Sequence, residues 1–293
     1  MSRPDFLIIG TARSGTTTLH TWLAGHPAIY MYPGKEPHFF SQDGVWARGL
    51  GWYGDLFAPA RPGQLLGEGS TSYSDPEYSE RAAERIARVI PDARLIYLLR
   101  HPVERLRSDL EHQIRQGREL RPVADAAADP DAPHALRSHY FACLQPFARR
   151  FDRAQICVIR FEDLVAAPYA AWGSVLAHLG VEPVPAPATV HNAGAEQPDA
   201  AWLMRRLRRS PLGPLTRRLP ASVRTAVKRS AGRVGPRRAP VSSGSVPDSV
   251  TVPIWDDIAA LERWLGAATS LWPGRSPNDC GGETAGEQDT GPV

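Results

Sequence analysis

The stretch FLIIGTARSGTTTL, Phe6 to Leu19, decides the fold. Phe6 to Ile9 is a short apolar run rich in β-branched residues, which predicts a buried central strand. Gly10 to Gly15 is a glycine-bounded turn, and Leu19, Trp22 and Leu23 follow at helical spacing. A strand, a loop and a helix in that order aim several backbone N–H groups and a helix N-terminus at one point. Such a cradle suits a phosphate or another polyanion.

Loops of this kind that bind ATP or GTP read G-x-x-x-x-G-K-[ST]. Here the string runs from Gly10 through Gly15 to Thr16 and Thr17, so Thr16 stands where the lysine is expected and Arg13 is the cation inside the loop. A Mg-nucleotide enzyme also calls for an acidic strand end to hold its metal. The next strong strand, Ala93 to Leu99, runs instead into Arg100-His101-Pro102. A cation there repels Mg²⁺ and attracts a second phosphate. Pro102 favours a helix start, which places Ser108 within the first two turns, where it and Arg100 can face one anion. Ligands of open α/β sheets sit beyond the carboxyl ends of the strands, where both loops would lie. The pattern predicts a ligand with two separated phosphate groups and no metal.

On these motifs the chain resembles the sulfotransferases that use 3′-phosphoadenosine 5′-phosphosulfate (PAPS). The RSGTT turn is similar to that family's 5′-phosphosulfate loop, and RHPVERLRS, Arg100 to Ser108, to its 3′-phosphate segment R-x-P-x-x-R-x-x-S. Lys35-Glu36-Pro37-His38-Phe39-Phe40, Gly67 to Tyr73 (GEGSTSY) and Ile159 to Leu164 (IRFEDL) agree in order and spacing with the branch that contains the heparan-sulfate N- and 3-O-sulfotransferases and bacterial relatives. The resemblance covers residues 5 to 180, then a weaker stretch ending near Trp272. It implies an α/β fold with a P-loop-like parallel sheet flanked by helices, and an EC 2.8.2-type transfer from PAPS to a hydroxyl or amine of a small-molecule, saccharide or lipid acceptor.

The resemblance also implies roles for residues. Arg13 and the N–H groups of Ser14, Gly15, Thr16 and Thr17 would hold the 5′-phosphosulfate and stabilise charge on the departing oxygen, and Arg100 and Ser108 would bind the 3′-phosphate. Glu36 falls where the heparan-type enzymes carry their catalytic glutamate, so it is the expected general base. Lys35 assists the sulfo group or only balances charge. His38 is the alternative base, expected to point in another direction. Glu68 either organises the site or makes a strand-end ion pair. Glu162 and Asp163 are expected to cap the following helix, and the aromatic pairs Phe39-Phe40 and Trp52-Tyr53 to lie in the core. The heparan enzymes read E-K-[ST] where this chain has Glu68-Gly69-Ser70, so a lysine near the acceptor is absent, which weighs against a highly anionic sugar acceptor.

A chain of 293 residues with 42% apolar content can bury a sizeable core. We expect one domain over 1–273, with a mobile loop at 117–137, a basic helical insertion at 200–247 and a disordered tail at 274–293. The net charge of +3 hides an uneven distribution: 200–247 holds 12 Arg or Lys and no acid, which leaves the rest of the chain at −9. That segment reads as a solvated face, an attractor of PAPS or an anionic acceptor, or a peripheral membrane contact through 200–238. With Trp202 as the nearby aromatic, nucleic acid is not an expected partner. No apolar run reaches the ~20 residues that span a bilayer. The first strand starts too early for a signal peptide, and the 3 cysteines are far apart. A cytoplasmic location follows as the expectation. The competing readings are a P-loop kinase or NTPase, and a non-catalytic nucleotide- or membrane-binding protein.

Overall fold

The computed structural model describes residues 2–187 and 246–273. The expected tail, and the basic insertion except for residues 246–247, lie outside the described residues. Five strands, β1 (Phe6–Gly10), β2 (Ile29–Met31), β3 (Leu65–Gly69), β4 (Arg94–Leu99) and β5 (Ile156–Arg160), form one parallel sheet in the order β2-β3-β1-β4-β5. From β1 the chain runs to the edge strand β2, returns to β3 beside β1, and then crosses to β4 and β5 on the other side. This switch opens a crevice at the carboxyl end of β1.

The helices in chain order begin with α1 (Thr16–Ala24), α2 (Asp43–Trp46), α3 (Gly49–Asp55), α4 (Ser79–Val89) and α5 (Pro102–Arg115). They continue with α6 (Val123–Ala127), α7 (Pro133–Leu136), α8 (Tyr140–Ala148), α9 (Phe161–Ala166), α10 (Pro168–Leu179) and α11 (Asp248–Leu265). Among these, no helix is long and apolar enough to cross a membrane.

Both faces of the sheet are covered, so its central strands are apolar throughout rather than alternating. Leu95, Tyr97 and Leu99 of β4 join Leu7 and Ile9 of β1 in one core layer, under Ile86 of α4, Leu144 and Phe147 of α8, and Ile258 and Leu261 of α11. Ile96 and Leu98 join Phe6 and Ile8 in the opposite layer, beneath Leu19, Trp22 and Leu23 of α1 and Trp172, Val175 and Leu176 of α10. Phe39, Phe40 and Tyr53 are buried in the first layer, with Trp52 packed against it, as the sequence suggested.

Three local features add to the sequence reading. Pro76 to Ile90 carries an amphipathic helical pattern; the helix itself begins at Ser79, with Ala82, Ile86 and Ile90 buried. Residues 117–137 are not irregular throughout, because α6 and α7 lie within them. Ala126 and Ala127 of α6 pack on Leu110, and Ala135 of α7 packs on Leu106, with polar contacts added. Arg121 bridges Glu119 and Asp129 at 2.8 and 2.7 Å, and His134 Nε2 lies 2.8 Å from the Ala126 carbonyl. Finally, α11 returns to the core after the basic segment, although Pro253 inside it interrupts the sequence signal.

Arg105, the second arginine of the RHPVERLRS motif, is fully buried and serves the scaffold. It donates to Ser138 Oγ at 2.9 Å, to the His134 carbonyl and to Asp109 Oδ2 at 3.2 Å. Arg137 donates to the same Asp109 oxygen at 3.2 Å and to Asp75 Oδ2 at 2.6 Å. Burial alone would raise the Asp109 pKa, yet the two guanidiniums overcome it and hold the carboxyl at about 2, against the ordinary 3.8. Its contribution to stability is therefore present above pH 3.8 and lost as pH falls through 2. Arg105→Leu should cost about 3 kcal/mol, read as a lower urea midpoint with an unchanged slope, because it takes one of two guanidiniums from a buried carboxylate and leaves the Ser138 hydroxyl and His134 carbonyl without that donor. Asp109→Asn should flatten the acid limb of the pH–stability curve.

Candidate active site

Three loops, those that follow β1, β2 and β4, meet beyond the carboxyl end of the sheet together with the segment after β3. The first is the turn after β1. Gly10 passes so close to Ser74 that a Cβ there would sit 1.9 Å from its Oγ, and Gly15, at φ +85°, would drive a Cβ to 2.4 Å from the Phe161 ring. Neither position accepts a side chain. Ser14 is buried, with its hydroxyl 2.6 Å from Thr11 Oγ1, so its side chain closes the turn and only its N–H remains for a ligand. Gly15 is the N-cap of α1, and no side chain caps the helix, so the first-turn amides from Thr16 onward lack a side-chain acceptor from the cap.

Arg13, also left-handed at φ 72°, donates from Nε to Ser108 Oγ at 3.2 Å. The two anion-binding stretches predicted from separate motifs are thus in direct contact. Arg100 follows β4, pairs with Glu104 at 3.9 Å and lies 5.5 Å from the centre of the Phe161 ring, the same ring that presses on Gly15. Phe161 therefore lies against both Gly15 and Arg100, a role the sequence reading missed.

The second loop carries Lys35, Glu36 and His38, at φ 34°, 58° and 57°. Non-glycine residues in this region each cost on the order of 1 kcal/mol. Hydrogen bonds to the segment after β3 offset that cost. The Glu36 N–H donates to the Gly69 carbonyl and the His38 N–H to Ser70 Oγ, both at 3.0 Å. Thr71 Oγ1 donates to Glu36 Oε2 at 3.2 Å, and His38 Nδ1 lies 2.7 Å from Ser72 Oγ. Lys35 Nζ reaches back to Thr17 Oγ1 at 2.5 Å, which brings an ammonium to the first turn of α1. Glu36 is partly exposed between Lys35 Nζ, 3.9 Å from Oε1, and His38 Nε2, 3.7 Å from Oε2. His38 is thus turned toward Glu36 rather than away from it.

Glu68 departs from the strand-end ion pair that the sequence allowed. It is completely buried at the end of β3, and among the described residues no cation pairs with it. Tyr53 and Tyr73 both donate to its Oε1, at 3.0 and 2.5 Å, and Ser70 donates to Oε2 at 3.1 Å. Burial pushes this carboxyl up to about 7; the three hydroxyl bonds oppose the rise and the charge of Glu36 adds to it. Glu162 and Asp163 also depart from the expected capping role. Glu162 Oε1 accepts the His101 N–H at 2.7 Å, tying the loop after β4 to the start of α9, and Asp163 pairs with Arg160 at 2.5 Å. Among the described residues, no group of three or more His, Cys, Asp or Glu is arranged to hold a metal ion.

A family model described as "Sulfotransferase family" matches residues 52–185, a span that includes Arg100 and Ser108 and follows the first two loops. The bifunctional heparan sulfate N-deacetylase/N-sulfotransferase 2 of Homo sapiens is 30% identical over 203 residues, covering 61% of this chain and 22% of that protein. Heparan sulfate glucosamine 3-O-sulfotransferase 3B1 of Mus musculus is 29% identical over 187 residues, covering 61% of this chain and 46% of its own length. The crystal structure of a sulfotransferase from Alicyclobacillus acidocaldarius is 28% identical, with a TM-score of 0.57, and covers 76% of this chain and 100% of that one. The chain spans between 22% and 46% of these two curated relatives. The resemblance to sulfotransferases holds, and the fold is theirs.

The raised pKa of Glu68 has a sign that can be measured. The unfolded carboxyl ionises near 4.5 and the folded one near 7, so the folded state binds the extra proton between those values and stability falls as pH rises through that window. Glu68→Gln should remove this slope, flattening the pH 4.5–7 portion of the urea-denaturation profile by about 3 kcal/mol relative to the parent.

Proposed function

Proceeding from kinship with the sulfotransferase family, we propose that this chain transfers the sulfuryl group of PAPS to a hydroxyl of a small-molecule, saccharide or lipid acceptor and releases adenosine 3′,5′-bisphosphate. One observation carries the reading: the phosphate loop is bonded on one side to Ser108 through Arg13 and on the other to Lys35 through Thr17. A donor anion, a second phosphate and a base have their protein groups within one connected set of side chains.

The residues suit such a donor. Arg13 and the first-turn amides of α1 would hold the 5′ end, and Arg100 with Ser108 the 3′-phosphate. The bound donor supplies an activated sulfuryl group, whose loose and charge-rich transition state leaves the protein chiefly positioning and electrostatic work. Lys35, delivered from a different loop, places a positive charge near the position that the missing loop lysine would serve. Glu36 takes the proton of the attacking hydroxyl, with Thr71 fixing one of its oxygens and His38 close to the same oxygen. A kinase reading lacks the loop lysine, and a non-catalytic reading leaves the ordered, strained Glu36 loop without a purpose. A cytoplasmic location is part of the proposal.

Adenosine 3′,5′-bisphosphate at about a hundred times its dissociation constant should add about 2.7 kcal/mol of stability, seen as a rise in Tm. Mg-ATP should not; a shift with Mg-ATP alone would sink the proposal. Arg100→Ala should abolish most of the bisphosphate shift. With acceptors found by a PAPS screen, Glu36→Gln should keep that shift and lose roughly a hundredfold or more in kcat.

A further inference from the structure

Glu68 is a fully buried carboxyl that the chemistry above leaves unused. Burying a carboxyl without a cation is costly, and a leucine would fill the volume without that cost. What a leucine cannot do is accept hydrogen bonds. The two oxygens of Glu68 take three hydroxyl donors from different parts of the chain: Tyr53 on α3, Tyr73 in the 3₁₀ turn Thr71–Ser74 and Ser70 at the end of β3.

The Ser70 bond has a direction. Because Oε2 of Glu68 receives the Ser70 hydroxyl hydrogen, the lone pairs of that hydroxyl are left facing other donors. One of them accepts the His38 N–H at 3.0 Å. His38 is one of the left-handed residues of the base loop, and the Glu36 N–H is held at 3.0 Å by Gly69, between Glu68 and Ser70 in sequence. Glu68, Ser70 and the His38 amide thus form a chain of hydrogen bonds from the core to the loop that presents Glu36.

The geometry points to Glu68 as a positioning residue for Glu36: its carboxyl orients the Ser70 hydroxyl, and Ser70 holds the 36–38 loop in its left-handed course. This rests on the sulfotransferase reading only in calling Glu36 the base. A glutamine at 68 can accept from the two tyrosines through its carbonyl, but then turns an NH₂ toward Ser70. The Ser70 oxygen would accept from that amide, its hydrogen would rotate away, and the bond from His38 would compete with a second donor. Tyr73→Phe removes one support of the carboxyl together with the Tyr73 hydroxyl's own contact with Ser70, whereas Tyr53→Phe removes the other support and leaves Ser70 untouched.

The test is residue-resolved amide hydrogen exchange on the full chain without ligand, comparing the parent with Glu68→Gln, Tyr53→Phe, Tyr73→Phe and Ser70→Ala. Ser70→Ala, which deletes the acceptor outright, sets the scale. We expect the His38 amide to exchange at least tenfold faster in Glu68→Gln and to a smaller extent in Tyr53→Phe and Tyr73→Phe. The amides of β1 and β4 should keep parent rates, and the dissociation constant for adenosine 3′,5′-bisphosphate should stay within twofold. With an acceptor in hand, kcat should fall at least tenfold at unchanged KM. His38 protection that survives in both Glu68→Gln and Tyr53→Phe, or β1 and β4 amides that accelerate in step with His38, would overturn the proposal. If Glu68→Gln does not fold, Tyr53→Phe decides in its place: faster His38 exchange supports the proposal and parent protection overturns it. Absence of bisphosphate binding by the parent, with His38 protection still dependent on Glu68, would overturn the transferase reading and leave the positioning role standing.

Discussion

The arrangement of the site depends on how six consecutive side chains, Ser70 to Asp75, are distributed around a single turn. A 3₁₀ helix has three residues per turn, so neighbours project about 120° apart and cannot share one face. Here that geometry sends Thr71 to Glu36, Ser72 to His38, Tyr73 to Glu68 and Ser74 against Gly10 of the phosphate loop. Ser70 before the turn holds the His38 amide, and Asp75 after it holds Arg137 of the buried ion network. Base loop, phosphate loop and the α5 scaffold are thereby registered to one another by a segment that contributes no charged group to the ligand site itself. Small hydroxyl residues suit this work: they bond in several directions and keep the turn short enough for Gly10 to pass.

The same economy governs the cations. In the proposed donor site, a loop with threonine where lysine is expected needs positive charge from elsewhere, and three cations stand to supply it: Arg13 within the loop, Lys35 from the segment after β2 and Arg100 from the end of β4. Each has a protein partner, Ser108, Thr17 and Glu104 respectively. Arg105, only five residues from Arg100, is diverted entirely to the interior. Two arginines of one short motif thus differ in surroundings: Arg100 sits in the loop between β4 and α5 and stays partly exposed, whereas Arg105 lies on the inward face of α5 and is fully buried.

The fold was legible because its signals are local. A β-branched run before a glycine turn, and another before Arg100-His101-Pro102, locate β1, β4 and the helices that follow. The contact between Arg13 and Ser108 could be anticipated only as two motifs aimed at a common anion. Glu68 was misjudged in part because the sequence shows a carboxylate at a strand end and says nothing of the two tyrosines that converge on it from 15 residues before and 5 residues after. Glu162 looked like a helix cap for a similar reason: its partner, the His101 amide, lies 61 positions away. The short helices in 117–137 escaped notice because each buries only one or two alanines against distant partners, too few to make an apolar period.

The docking of α11 bears on the order in which the molecule is made. Asp257 accepts the N–H groups of Phe141 and Ala142 at 2.7 and 2.9 Å, so the first turn of α8 is capped by a residue that arrives 115 or more positions later. Trp272 lies beside His101 and Tyr140, and the Leu271 carbonyl receives Arg160. A chain emerging from the ribosome has all five strands available well before it has this cover. Until the last helix emerges, the Tyr140–Phe147 face and the β4–α5 junction are without their final layer. Vectorial synthesis thus separates sheet formation from completion of the core, and the nascent protein passes through an intermediate whose exposed apolar face is a natural target for chaperones.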